Sequence, residues 1–484
     1  MPYPGKTMRE LASLVDGELR GDSDTVVTDV SLDSRRLGGQ ALFTAVHGQQ
    51  VDGHRFVSEA AANGAVALCV SQQVTSPLPT LRVADTRAVV GKLAAAVHGR
   101  PSETVAVVGV TGTNGKTTVT FQLEAIATEA GKSCGLIGTV ATRHGRVEYP
   151  NPHTTPEATD WQRLLAAMRD GGAEWIAAEV SSHALALDRV AETRFAVGAF
   201  TNLSQDHLDF HGGLEQYFAA KARLLEVAER RVIWVEDSYG ARLASAYPEA
   251  LTVGWNHPVR ASRVALSPHG TEFRLHLPDG EADCRLHLRG RFNVANALVA
   301  AGCAHLLGVD VATIAAGLAA LPVVPGRFEV VSTENVMVVV DYAHSPEGIA
   351  TVIETARAMV PGRVIAVIGA GGDRDRGKRP LMGSAASAAD LVVVTSDNPR
   401  NEDPAKIIDE VAAGLVDRRA GRPEATLIVD RRSAIAAAID AAHPGDIVLI
   451  LGKGHEAGQE IAGTIRPFSD QRVAREHLDR RARR

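Results

Sequence analysis

Residues 109–118 read Gly-Val-Thr-Gly-Thr-Asn-Gly-Lys-Thr-Thr. Glycines in such a stretch let backbone N–H groups close on phosphate oxygens, and the start of a helix adds partial positive charge. Lys116 supplies a mobile cation for the β- and γ-phosphates, and the Thr117 hydroxyl is suited to ligate Mg²⁺. The loop residues Gly112, Thr113, Asn114, Gly115, Lys116, Thr117 and Thr118 are therefore the expected cradle for ATP, with Mg²⁺ as cofactor. The spacing departs from the general phosphate-loop pattern. Val110 stands six places before Lys116, and the glycine falls one place earlier, at Gly109. No Asn-Lys-x-Asp guanine-reading motif occurs in the chain, which counts against a GTPase switch.

Other polar clusters carry chemistry of their own. Glu179, in Glu-Val-Ser-Ser-His, ends an apolar run and can offer a carboxylate to the same Mg²⁺; His207, in Ser-Gln-Asp-His-Leu-Asp, is a candidate second ligand. Arg374 and Arg400 follow apolar runs, and arginine forks read carboxylates bidentately. Asp397, Asn398 and Glu456 are suited to an ammonium group. Carboxylate readers beside amine readers fit a zwitterionic amino acid. Arg376 and Arg379 are read as solvated surface residues.

The elements that must position these groups follow from pattern. The run TVAVVGV before the loop and TTVTFQLEAIATEA after it make a strand, a glycine loop and a helix. A length of 484 residues suggests about three domains at ~150 residues each. The expected divisions are 1–99, 100–325 and 326–484. Residues 1–99 mix short strands with helices as a small mixed α/β unit. From 100 to 325 strands alternate with helices, as in a parallel-sheet phosphate-loop ATPase. From 326 on, VMVVV, RVIAVIG, LVVVTS, ATLIV and DIVLIL resume the alternation as a Rossmann-like α/β unit. Pro322, Pro325 and Gly326 mark the second boundary. In open α/β sheets ligands collect beyond the carboxyl ends of strands, which is where the polar clusters fall.

Hydrophobic residues make up 45% and aromatics 4%, so the cores must be aliphatic. A net charge of −6 with interspersed signs argues against nucleic acid as a partner. The last thirteen residues carry six arginines, interrupted by Glu476 and Asp479, and read as a solvated terminal helix. Cys69, Cys134, Cys284 and Cys303 have no paired spacing and indicate neither disulfides nor zinc. Without an h-region or a bilayer-spanning apolar run, the expected location is cytoplasmic, with no membrane insertion.

The segments TGTNGKTT, EVSSH, TNLSQDHLDFHG, GRFNVAN, VPGRFEV and DYAHSP resemble the Mur ligases, the ATP-dependent amino-acid ligases of peptidoglycan precursor synthesis. The resemblance runs through the whole chain. Within that family it is nearest the MurE type, which joins meso-diaminopimelate to the D-glutamate of UDP-N-acetylmuramoyl-L-alanyl-D-glutamate. LDSRRLGGQALFTAVHGQQVDGHRF and Asp397-Asn398-Pro399-Arg400 carry that choice; lysine-adding relatives have another tetrapeptide there, without the arginine.

The resemblance implies roles. Leu32, Ser34, Gln49, Gln50 and Val51 would bind the uridine diphosphate part. His153, Thr154, Thr155, Ser181 and Arg189 would hold the muramoyl dipeptide. His153 replaces a common asparagine, and Leu187 stands in place of a glutamine. Asn293, Arg327, Asp341 and His344 would join the ATP site. Arg374, Asp397, Asn398, Pro399, Arg400, Gly452 and Glu456 would form the diaminopimelate site. Lys221 would carry a carbamate, joining Thr117, Glu179 and His207 on Mg²⁺. Lys116, Glu179, His207 and Lys221 would be the catalytic set. ATP would phosphorylate the D-glutamate side chain, and the diaminopimelate amine would displace phosphate. The expected partners are these small molecules alone, and the expected state a monomer. The competing readings are a folylpolyglutamate synthase, a lysine-adding Mur ligase, and an ATP-driven regulator or motor.

Overall fold

The computed structural model describes residues 3–48, 51–150, 152–415 and 424–483. The first sheet has five strands, in the order Glu18–Arg20, Thr80–Arg82, Ala67–Val70, Ala41–Thr44 and Asp29–Ser31. Its last four strands run parallel, and Glu18–Arg20 runs against them. Helix Thr86–Val97 is capped by Asp85, whose carboxylate accepts from Arg87 N at 2.8 Å. That cap starts the helix in the phase that turns Val90, Leu93, Ala94 and Val97 onto the sheet.

The second sheet has eight strands. Their order is Val147–Glu148, Thr142–His144, Cys134–Ile137, Trp175–Glu179, Ala106–Thr111, Phe195–Phe200, Arg231–Trp234 and Leu251–Val253. The six from Cys134–Ile137 onward are parallel, and the first two are antiparallel. Ala106–Thr111 lies at the centre, with Glu179 beside Val110 and Phe200 beside Thr111. Three chain segments therefore leave the sheet together at one edge: the phosphate loop, the run after Glu179, and the run 201–207. Helix Lys116–Glu129 covers one face. Helix Val311–Ala320 crosses it so closely that a Cβ on Gly317 would stand 2.5 Å from Ile126 Cα.

The alternation expected over 100–325 is interrupted. Arg260–Ser267, Gly270–Leu277 and Gly280–Leu286 form a separate antiparallel sheet. Phe273, Leu275 and Leu277 point inward from its middle strand onto helices Arg291–Leu306 and Val311–Ala320. Charged residues between them hide these strands from a search for continuous apolar runs.

The third sheet orders Glu329–Ser332, Met337–Asp341, Ile447–Leu451, Val364–Ile368, Leu391–Thr395 and Glu424–Ile428, all parallel but the first. The hairpin Gly458–Ile461 with Thr464–Pro467 stands beyond it. The terminal helix Asp470–Ala482 corrects the solvated reading. Asp470 is fully buried against Arg431 at 2.7 Å, and Val473 and Ala474 enter the core. All four cysteines are buried and free, and burial pushes the Cys69, Cys134 and Cys284 thiols up to about 12. Among the described residues no helix is long and apolar enough to cross a membrane.

Candidate active site

The phosphate loop owes its shape to Gly112 and Gly115, at φ +147° and +90°. A Cβ on Gly112 would collide with Thr201 Oγ1, and one on Gly115 with Asn296 Oδ1. Gly109, by contrast, lies inside the strand, where a Cβ would stand 2.8 Å from the Phe195 ring. The displaced glycine of the sequence pattern is a packing residue. Neighbouring chain fixes the loop from below: Asn114 N donates to Asn202 Oδ1 at 2.8 Å, and Thr201 Oγ1 donates to Asn114 O at 2.6 Å. Lys116 Nζ donates to the carbonyls of Gly112 and Thr113, at 2.8 and 3.0 Å. Arg327 reaches in from beyond the second boundary; its Nη2 donates to Thr117 Oγ1 at 2.9 Å, and its guanidinium lies 4.5 Å over the Tyr342 ring.

A cleft of about 510 Å³ opens beside this loop, lined also by Glu179, Ser181, His207, Arg327, Asp341 and His344. Glu179 is buried, and its two oxygens accept from Thr139 N at 2.8 Å and Thr139 Oγ1 at 3.2 Å. His207 holds φ +53°, with its ring edge-on to His183 at 4.7 Å. Burial pushes its pKa down to about 3 against the pull of Asp206, and the neighbouring basic side chains His183, His344 and Lys221 disfavour a further positive charge. Asp206 is itself buried, 3.4 Å from Lys378 Nζ and 3.8 Å from His344 Nε2. Burial alone would raise the Asp206 pKa, but Lys378, His344 and His207 hold it well below the carboxylate range.

Lys221 lies in the interior. It is 1% exposed on helix Leu214–Val227, with Nζ donating to Gly112 O at 2.7 Å and lying 4.4 Å over the Tyr217 ring. Burial, reinforced by Lys116, holds its amine well below 10.5. A neutral buried amine is the species that adds CO₂, so the residue fits a carbamate. Lys221 lies behind the loop rather than on the cleft wall, so its reach to a metal runs through the added carboxyl.

Thr154, Thr155, Ser181 and Arg189 gather around the end of the Glu179 strand. Thr155 Oγ1 donates to Glu179 O at 2.8 Å and accepts from Ser181 N at 3.0 Å; Thr154 Oγ1 lies 2.9 Å from Thr139 Oγ1. Arg189 pairs with Glu157 at 2.8 Å. His153 is exposed, and Leu187 ends the short helix Ser182–Ala186. Ser34 is buried, Leu32 half-buried and Val51 exposed, on the first unit. Gln49 and Gln50 lie outside the described residues. Asn293 is set back from the cleft, with its Oδ1 accepting from Asn296 Nδ2 at 3.2 Å. Asn296, one helical turn on, lines the wall instead, together with Trp255 and the Arg291 guanidinium stacked 4.4 Å over it. The repeated asparagine in GRFNVAN was the signal for Asn296; nothing in the sequence marked Trp255. Asp341 ties the 326–328 segment to its own strand end, accepting from Phe328 N and Ala343 N, each at 2.6 Å. His344 Nδ1 lies 2.8 Å from Tyr342 O.

On the far side, Arg374 and Arg400 flank Gly371, where a Cβ would stand 3.7 Å from Arg374 Cγ and 3.0 Å from Arg400 Nη1. Arg400 holds φ +50°, donates to Gly372 O at 2.7 Å and has Nε 3.3 Å from Glu460 Oε2. Pro399 packs on Gly372, where a Cβ would collide with the Pro399 carbonyl. Gly452, at φ +111°, presses on Asp397, and a Cβ there would stand 2.5 Å from Asp397 Oδ2. Asn398 Nδ2 donates to Glu456 Oε2 at 2.8 Å. The left-handed conformations of His207 and Arg400 are strained, and such strain collects at functional sites. Arg379 corrects its surface reading: it is fully buried, 2.7 Å from both Glu402 and Glu410. Arg376 is exposed and pairs with Glu410.

This loop system touches the segment at Gly326 directly. Gly326, at φ +68°, lies against Gly454, at φ +52°. A Cβ on Gly326 would collide with His455 N, and one on Gly454 would stand 2.9 Å from Gly326 O.

His47, Asp52 and His54 also converge closely enough to hold a metal ion. However, Ser71 N donates to His54 Nε2 at 3.0 Å, which leaves the ring proton on Nδ1, aimed at Asp52 Oδ1 2.7 Å away. That nitrogen has no lone pair to offer, and the cluster is a hydrogen-bonded turn.

Residues 26–100 match the family model described as the Mur ligase family catalytic domain. Residues 110–304 match the Mur ligase middle domain, and 326–454 the glutamate ligase domain. The UDP-N-acetylmuramoyl-L-alanyl-D-glutamate–2,6-diaminopimelate ligase of Aquifex aeolicus is 43% identical over 456 residues, covering 93% of this chain and 94% of its own. That of Streptomyces coelicolor is 42% identical over 502 residues, covering 99% of each. A solved structure of a ligase with the same name aligns over 100% of both chains, with TM-score 0.69 and 31% identity. A MurF ligase from Thermotoga maritima, in complex with ADP, shares the fold at TM-score 0.68 and 21% identity, covering 94% of this chain and 99% of its own.

Proposed function

The chain belongs to the Mur ligase family, and from that premise we propose how it works. It is an ATP-dependent ligase that adds meso-diaminopimelate to UDP-N-acetylmuramoyl-L-alanyl-D-glutamate in peptidoglycan precursor synthesis, a step on which bacterial cell shape and division depend. The observation that carries the reading is the meeting, in one cleft, of the phosphate loop with Arg327, Asp341 and His344 from beyond residue 325.

In this reading residues 1–99 take the uridine diphosphate part, 100–325 the ATP and 326–484 the amino acid. The phosphate-loop amides and Lys116 hold the β- and γ-phosphates, and Arg327 leaves Thr117 for phosphate. Thr154, Thr155, Ser181 and Arg189 hold the dipeptide so that the D-glutamate carboxylate faces the γ-phosphorus. Attack there forms an acyl phosphate and releases ADP. The neutral amine of diaminopimelate then adds to the acyl carbon, and the tetrahedral species expels phosphate as the nitrogen loses its proton. Lys116 and Arg327 stabilise the charge on the oxygens. Thr117, Glu179, His207 and carbamylated Lys221 are the residues that would hold Mg²⁺, which supplies charge neutralisation at the transferring phosphoryl group. Closure about the hinge keeps water from the acyl phosphate. The protein acts as a monomer in the cytoplasm.

The test is ATP turnover with and without the two co-substrates. ADP release should require both UDP-muramoyl dipeptide and meso-diaminopimelate. Turnover indifferent to both would belong to a regulator or motor, and turnover with folate and glutamate to a folylpolyglutamate synthase.

A further inference from the structure

Lys453 sits between Gly452 and Gly454 in the loop after Ile447–Leu451, with no exposed surface. Its ammonium donates to Asn398 Oδ1 at 3.0 Å and to Glu456 Oε2 at 2.8 Å. Asn398 Nδ2 donates to the same Glu456 oxygen, closing a triangle, and Asn398 Oδ1 also accepts from Glu460 N at 3.0 Å. Two donors on Asn398 Oδ1 fix the amide orientation, since a flipped amide would set N–H against both. These bonds commit the Asn398 carbonyl, one of its amide hydrogens and one Glu456 oxygen. Among the described residues the second amide hydrogen and Glu456 Oε1 are left as a donor and an acceptor on hydrogen-bonded side chains. A carboxylate and an ammonium on one carbon, the α-end of an amino acid, match that pair.

We propose that Lys453 is a positioning residue for amino-acid binding: it holds Asn398 and Glu456 in the one orientation that presents this donor–acceptor pair to the α-end of the substrate. The inference rests on the reading of the 397–400 and 452–456 loops as the amino-acid site. Lys453 touches no reacting atom. Its electrostatic part is legible in its surroundings. Burial would raise the Glu456 pKa, and Lys453 overcomes that. The other charged or titratable groups facing Glu456 are His455, Asp397, Arg431 and Tyr342.

Lys453→Met, Glu456→Gln and the double variant of the full chain separate the possibilities. Lys453→Met should raise KM for meso-diaminopimelate roughly tenfold to a hundredfold, the range for a buried charge that loses its partner. KM for ATP and for the UDP-substrate should hold within about twofold, because those groups bind outside the triangle. The acid limb of kcat/KM for diaminopimelate should move to higher pH, since Glu456 loses the cation that keeps it ionised. In the double variant Lys453→Met should add little to Glu456→Gln. Additive effects, or a parallel rise in all three KM values, would make Lys453 a merely structural residue and overturn the proposal. An unchanged diaminopimelate KM in Glu456→Gln would overturn the placement of the site, and the proposal with it. Lys453→Gln keeps a donor without the charge. It gives the same comparison if the methionine variant does not fold.

Discussion

Lys116 and Lys221 donate to one acceptor, the carbonyl oxygen of Gly112, at 2.8 and 2.7 Å. Two ammonium groups cannot share a buried oxygen without strong repulsion, and the environment resolves the conflict at Lys221. Burial lowers both amines, and Lys221 the further of the two because the Lys116 charge adds to the effect, so Lys116 is the better placed to stay a cation.

Lys116→Ala should therefore lower kcat by about a hundredfold or more, the cost of removing one group that stabilises transferring charge. Initial rates at saturating ATP are the measurement. Near-normal turnover would remove the phosphate loop from the mechanism.

Lys221→Ala should be nearly inactive, and a small carboxylate such as acetate should restore part of its rate by standing in for the carbamate oxygens. Mass spectrometry under CO₂-saturated conditions should show the added mass on wild-type Lys221. Full activity of the alanine variant would return Lys221 to a packing role.

Domain closure should centre on residues 325–327. Small-angle scattering should show a smaller radius of gyration when an ATP analogue and the UDP-substrate are bound together. Gly326→Ala should blunt that compaction, because its Cβ collides with His455 N. An identical radius in all states would rule out the hinge.

Amino-acid choice should depend on Arg400. Lysine lacks the distal carboxylate of meso-diaminopimelate, so it would leave Arg400 with only Gly372 O and Glu460 and forgo the pair with substrate, a loss that costs a factor of about 10⁴ in a site built for that contact. The wild type should prefer diaminopimelate by several orders of magnitude in kcat/KM. Arg400→Ala should shrink that preference mainly by losing the diaminopimelate rate. Equal use of both amino acids by the wild type would place the distal carboxylate elsewhere.

Stability should fall in mild acid through His455. Burial pushes its pKa from 6.5 down to about 4, with Arg327 adding to the effect. Between those values the unfolded chain binds a proton that the folded chain refuses, so stability is complete above 6.5 and declines as the pH drops toward 4. His455→Gln should flatten the pH dependence of urea unfolding in that window; an unaltered slope would mean that the imidazole titrates normally.

The parallel sheets were legible because strands buried on both faces read as unbroken apolar runs, and the polar residues that end them stand out by contrast. The Arg260–Leu286 sheet was not, because one wetted face broaks its apolar residues into alternation with charge. Burial of Lys221 depends on Tyr217 and on Gly112, 109 residues away, and no local pattern announces such a meeting. Arg379 is similar: its partners Glu402 and Glu410 lie 23 and 31 residues downstream. Asp397, Asn398 and Glu456 could be picked out as polar loop residues, whereas no local pattern ties Lys453 to Asn398, 55 residues away.

The bare contact of Gly326 with Gly454 makes timing a matter of backbone geometry. A rotation about residue 326 would carry the 452–456 loop with it, since no side chain lies between them to absorb the motion. In the proposed closure the swing that shuts the nucleotide away would also deliver the amine, so that an activated carboxyl would not wait for its nucleophile. That coupling would rest on a gap with no room for a Cβ.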